Sequence, residues 1–114
     1  MFNGANGAGY KVGPRTLNDL GAEVIKVESP SGDYIREMTW PIVDGVSLLH
    51  LHVHRGKRSI VLDLRKPEGV QIYLELAKDA DAVVEAMRPG SLAKRGLGFE
   101  QLNTKAFGLL SQAL

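Results

Sequence analysis

The sequence predicts an α/β fold, with a small parallel sheet and flanking helices. Two observations carry this. A β-branched run, Glu23-Val-Ile-Lys-Val-Glu28, directly follows a helical segment that ends at Gly21. Further on, a strand at 59–64, a helix at 67–78 and a strand at 82–87 follow one another with short connections, the spacing of a right-handed βαβ unit.

Residues 1–13 hold Gly4, Gly7, Gly9 and Gly13 with Asn3 and Asn6 between them and no hydrophobic period, and are expected to be a flexible lead-in. Pro14 suits the first turn of a short helix running to Leu20, where a missing N–H costs nothing. Gly21 stands where a helix C-terminus calls for a residue tolerant of positive φ. Strand 23–28 then ends in Ser29-Pro-Ser-Gly-Asp33, which is turn chemistry.

Between 34 and 54 the pattern is ambiguous. Leu49, Leu51 and Val53 alternate with His50, His52 and His54, which fits either a strand or one side of a short helix. Arg55-Gly-Lys-Arg58 is a basic turn. Ser59-Ile-Val-Leu-Asp-Leu64 is the clearest strand in the chain. Pro67 and Glu68 open a helix whose apolar stripe is Val70, Tyr73, Leu74 and Ala77, widened by Ile72 and Leu76. Ala82–Met87 is expected as a third strand, Arg88-Pro-Gly90 as a turn, and Phe99–Asn103 as a last helical piece.

Composition excludes several functions. Fourteen Lys and Arg against thirteen Asp and Glu give a net charge of +1, too little to recruit nucleic acid or an anionic membrane. The chain has no cysteine, hence neither disulfide nor thiolate chemistry. No apolar stretch approaches the roughly 20 residues of a membrane span, and the first twenty residues lack the apolar core of a signal peptide. A cytoplasmic protein is the expectation.

Three segments could carry chemistry. On a strand, His50, His52 and His54 would share one face, as metal ligands do, although no carboxylate stands at a matching spacing; a polar face with separate partners is the plainer reading. Gly4-Ala-Asn-Gly7-Ala-Gly9 could cradle a phosphate before a helix, but it lacks the preceding strand and the spacing of a dinucleotide fingerprint. Arg55-Gly-Lys-Arg58 could hold a pyrophosphate, with a solvated turn as the alternative. Asp33, Asp44, Asp63 and Asp79 are scattered without pairing, and Ser47, Ser59 and Ser91 show no nucleophile elbow.

Taken together, four blocks resemble the opening of family III CoA-transferases: Leu17–Glu28 with Ser31–Arg36; Arg55–Gly69; Ala80–Gly90; and Arg95–Glu100. The resemblance covers about residues 15–103. It implies a Rossmann-like domain with coenzyme A lying across the ends of parallel strands. The implied CoA contacts are Leu62, Asp63, Leu64, Arg65, Ala86, Met87, Arg88 and Lys94. Leu62 and Met87 would offer apolar surface to adenine, and the three cations would reach phosphates. Ser29 stands where the family usually has Arg or Lys, His54 where it has Asn, Ala86 where it has Asn or Gly, and Lys94 where it has Arg. The family's first strand is expected to be missing, so that the fold is incomplete relative to the family.

The chain thus divides into a lead-in at 1–13, a CoA-transferase-like α/β region at 14–103, and a tail at 104–114 that leaves the pattern. In the transferases an aspartate attacks the acyl-CoA thioester to give a mixed anhydride; in the racemase branch His and carboxylate groups shuttle an α-proton. Neither set has a counterpart here, so no catalytic residue and no metal are assigned. The expected partners are a CoA thioester and, because unpaired sheet edges need covering, a second copy of the chain. A non-enzymatic interaction protein that retains the fold, and a His-rich metal-binding module, remain as alternatives.

Overall fold

The structure is a computed structural model that describes residues 2–3, 12–84, 87–88, 90–98 and 102. In chain order it runs β1 (Phe2–Asn3), α1 (Val12–Asp19), β2 (Ile25–Glu28), a 3-10 turn (Tyr34–Glu37), β3 (Pro41–Val43), β4 (Val46–Ser47), α2 (Leu48–His54), β5 (Arg58–Val61), α3 (Pro67–Lys78) and a second 3-10 turn (Ala93–Arg95). β1, β2 and β5 form a parallel sheet with β2 in the centre, while β3 and β4 make a separate antiparallel hairpin.

The expected α/β class is what the structure shows, and several boundaries move. A first strand is present: Phe2 pairs with Lys26 and Asn3 with Val27. Two residues beside a Gly-rich stretch have no period of their own, and the strand exists because β2 offers it an edge. α1 starts at Val12, which places Pro14 inside its first turn. The helix closes as expected, with Gly21 at φ +102° and Ala22 N–H donating to the Leu17 carbonyl at 3.0 Å.

β5 is shorter than the predicted 59–64. Leu62 N–H still reaches the Glu28 carbonyl at 2.9 Å, but the Asp63 carboxylate then takes the Arg65 N–H at 3.0 Å and turns the chain out of the sheet. The predicted strand 82–87 is reduced, among the described residues, to a bridge at Val84. Glu85 and Ala86 lie outside the described residues, as does the predicted 99–103 piece apart from helical Leu102.

α3 follows its predicted stripe. Tyr73 and Ala77 are buried against Val27, Leu62, Val83, Leu92, Leu97 and Leu102, with Val70 and Leu74 alongside. Gly69, one turn before Tyr73, is buried too. A Cβ there would collide with the Asp63 carbonyl oxygen, so the glycine lets α3 start against the loop that leaves β5. Ile72 turns outward, at 42% exposure.

The histidine stretch is helical. Ser47 caps α2 by accepting the His50 N–H at 3.0 Å, and its own hydroxyl donates to the Ile35 carbonyl. At 3.6 residues per turn His50 and His54 share a face, with ring centroids 5.0 Å apart, while His52 points elsewhere and contacts Arg15 Nη1 at 2.7 Å. The arrangement of three imidazoles on one strand face, on which the metal-module reading rested, does not occur.

Candidate functional site

Successive residues of β2 face opposite sides of the sheet. Val27 enters the apolar core under α3. Lys26 and Glu28 point the other way and are also buried, at 1% and 3% exposure. Buried charges require partners, and these come from the segment after the strand and from α2. Lys26 Nζ lies 2.6 Å from Asp33 Oδ2 and 3.0 Å from Glu28 Oε1. Arg36 grips Glu28 with both prongs, at 3.1 and 2.8 Å. Asp33 Oδ1 caps the 3-10 turn by accepting the Ile35 N–H at 3.1 Å, and its Oδ2 meets His54 Nε2 at 3.1 Å.

Lys57 Nζ sits 3.1 Å from His54 Nδ1. An ammonium can only donate, so Nδ1 accepts and the neutral ring carries its proton on Nε2, donating it to Asp33. Burial holds His54 below the ordinary imidazole range; the Asp33 hydrogen bond opposes this and the Lys26 and Lys57 charges reinforce it. For Glu28, burial would raise the pKa, yet the bonds from Arg36 and Lys26 prevail and lower it. His50 is pushed down to about 4, first by burial and then by the Arg36 and Lys26 charges. The network is therefore a set of satisfied ion pairs around a neutral imidazole, and it fastens α2 and the first 3-10 turn to the sheet.

Cavities among the described residues lie at both ends of the sheet, and two are relevant. The larger, about 620 Å³, lies at the starting end of β2 and is lined by apolar residues together with Glu23, Glu75, Asp79 and Asp81. Among the described residues its lining contains acids and no Lys or Arg, which disfavours a phosphorylated ligand. The smaller, about 340 Å³, lies at the finishing ends of β2 and β5, where ligands of parallel α/β sheets bind. Its walls are Val27, Glu28, Ser29, Pro30, Ser31, Leu62, Asp63, Leu64, Arg65, Met87 and Arg95.

Five of the eight contacts implied by the resemblance, Leu62, Asp63, Leu64, Arg65 and Met87, line this one cavity. Arg88 and Lys94 are exposed and outside its lining, and Ala86 is not among the described residues. Arg65 is folded onto Asp63, with Nε to Oδ1 at 2.8 Å and Nη2 to Oδ2 at 3.0 Å. Those two bonds, with the Arg65 N–H, hold the Asp63 carboxyl at about 2. Ser29 and Ser31 bring their hydroxyls within 2.8 Å of each other at the opposite wall. Sequence reasoning missed Arg95, adjacent to the expected Lys94, and the ion pairs behind the cavity, whose members are separated by up to 21 positions in the chain.

The class the structure defines is a mixed α/β fold with a small parallel sheet, flanking helices and a cavity at the carboxyl ends of its strands. The sequence pattern of CoA-transferase family III matches residues 5–110, and the chain belongs to that family. It is 47% identical over 88 residues to succinyl-CoA:glutarate CoA-transferase of Mus musculus, covering 76% of this chain and 20% of that one. With the probable fatty acyl-CoA transferase Rv3272 of Mycobacterium tuberculosis it shares 43% identity over 94 residues, covering 80% and 24%. The crystal structure of Rv3272 superimposes with a TM-score of 0.76 at 39% identity, over 96% of this chain and 30% of that one. A CAIB/BAIF family protein from Brucella suis gives 0.78 at 41%, over 96% and 30%. The chain thus spans about a quarter of the length of such relatives, and the family pattern reaches further at both ends than the 15–103 expected from the four blocks.

Proposed function

We propose that this chain binds the nucleotide end of a CoA thioester in the 340 Å³ cavity and serves CoA transfer between carboxylic acids. The supporting observation is the convergence of Leu62–Arg65 and Met87 on one cavity at the carboxyl ends of β2 and β5, in a chain of a family whose substrates are acyl-CoAs. Leu62, Leu64 and Met87 supply apolar surface for adenine, and Arg65 supplies a fork for phosphate once it leaves Asp63. Of the remaining contacts implied by the resemblance, Ala86 lies outside the described residues, and Arg88 and Lys94, next in sequence to the lining residues Met87 and Arg95, are proposed to add positive charge for the phosphates.

The chain by itself is proposed to bind without catalysing transfer. The two carboxylates in the cavity lining among the described residues are engaged, Glu28 by Lys26 and Arg36 and Asp63 by Arg65, so neither is a free nucleophile. Isothermal titration calorimetry with CoA and acetyl-CoA tests the binding. The expected result is saturable heat for both ligands, with acetyl-CoA displaced by excess CoA; no heat with either ligand overturns the reading. The alternative of an interaction protein draws support from the exposure of Trp40, at 77%, and of Ile42 and Val43 on the β3–β4 hairpin. It predicts a folded chain that gives no CoA heat.

A further inference from the structure

We infer that Arg95, and not its neighbour Lys94, is the principal phosphate-holding cation of this cavity, an inference that rests on the CoA-binding reading above. The first ground is placement. Arg95 lines the cavity and is half-buried, whereas Lys94 is exposed and outside the lining. The 3-10 turn Ala93–Arg95 advances about 120° per residue, so adjacent residues cannot both face inward. Leu92 is buried in the core and Gly96 takes φ +74° to end the turn, which fixes its orientation.

The second ground is charge. Among the described residues, four charged ones line the cavity: Glu28, Asp63, Arg65 and Arg95. Glu28 is compensated by Lys26 and Arg36, and Asp63 and Arg65 compensate each other. Arg95 has no carboxylate partner among the described residues. With Glu28 and Asp33 set against Lys26 and Arg36, and Asp63 against Arg65, Arg95 is the positive charge left over at the cavity among the described residues, the condition for taking up an anion.

The third ground is orientation. One guanidinium nitrogen, Nη1, is held by the Ser91 hydroxyl at 3.0 Å and the Ser91 carbonyl at 3.4 Å. The other N–H groups have no partner among the described residues, and a guanidinium anchored on one side can present its remaining donors to a phosphate without losing much further freedom. Arg65 differs, because it must first break two bonds to Asp63.

The test compares Arg95→Met, Arg95→Lys and Lys94→Met with the unaltered chain by calorimetry, using CoA, adenosine 3′,5′-bisphosphate and adenosine as probes. Circular dichroism confirms that each variant is folded. Loss of one charge-assisted phosphate contact corresponds to a roughly tenfold or greater weakening. Arg95→Met is expected to weaken both phosphorylated probes by that factor and leave adenosine unchanged. Arg95→Lys should fall between, since it keeps the charge and loses the fork, and Lys94→Met should cost less than threefold. If Arg95→Met binds CoA like the unaltered chain, or Lys94→Met costs as much as Arg95→Met, the assignment to Arg95 is overturned while CoA binding stands. If the unaltered chain binds no phosphorylated probe, both fall. Should Arg95→Met fail to fold, Arg95→Lys decides, with an affinity equal to the unaltered chain counting against the fork.

Discussion

The two faces of β2 solve the same burial problem by opposite means. On one face Val27 meets Tyr73, Ala77 and Leu97 in a core assembled from apolar side chains. On the other, Lys26 and Glu28 are as deeply buried, yet they are held by each other, Asp33 and Arg36, with His54 bound in turn to Asp33. The apolar face is non-directional, so each contact contributes in proportion to area and neighbours can partly relax. The ionic face is directional. Removing one member leaves another charge buried without compensation, which costs more than the pair contributes in net stability.

The largest test of that difference is Lys26→Met. It leaves Asp33 without its ammonium and Glu28 with Arg36 alone, and a loss of about 3–5 kcal/mol is expected. Leu97→Ala on the apolar face should cost about 3 kcal/mol through the cavity it opens. Urea unfolding at two pH values separates the mechanisms. The Lys26→Met penalty should shrink at low pH, where the stranded carboxylates take up protons, while the Leu97→Ala penalty should not change. Equal pH dependence of the two penalties would sink the distinction.

A smaller effect probes the loop shared by the core and the cavity. Gly69→Ala forces a methyl into the Asp63 carbonyl, with an expected cost of about 1–3 kcal/mol. Because Asp63 and Arg65 belong to the cavity, CoA affinity should fall with stability in this variant. Undiminished affinity in a destabilised variant would show that the loop moves without disturbing the cavity.

The smallest effect is pH dependence of the unaltered chain. His50 and His54 have folded-state pKa values below the ordinary imidazole value of 6.5, so the unfolded chain binds their protons more readily. Their contribution is fully present above pH 6.5 and is lost as pH falls towards about 4, the value for His50. Glu28 is also lowered, and it adds to the loss below its ordinary value of 4.5. The expected decline between pH 7.5 and 5.5 is on the order of 1 kcal/mol, flattened in His54→Gln. A flat profile in the unaltered chain would show that the imidazoles are not buried as described.

Some of this was legible beforehand and some was not. α3 was readable because Val70, Tyr73, Leu74 and Ala77 repeat at the helical period, and β2 because β-branched residues follow a capping glycine. The histidine stretch misled in proportion to its ambiguity. Alternation over a few residues fits two periods, and the Ser47 cap, which selects the helix, depends on a hydroxyl also anchored to Ile35 across the fold. β1 was invisible because a two-residue strand is defined by its neighbour.

The amino-acid sequence alone determined the α/β class, the two longest regular elements, the family, and the segment Leu62–Arg65 that reaches the cavity. These depend on local periodicity, on helix-end chemistry at Gly21 and Pro67, and on residue blocks in order along the chain. Tertiary structure decided which of two adjacent cations faces inward, that Arg65 is held by Asp63, and that Lys26, Asp33 and His54 meet on the polar face of β2. Those outcomes depend on side-chain direction and on contacts between segments far apart in sequence, where no period or propensity carries information.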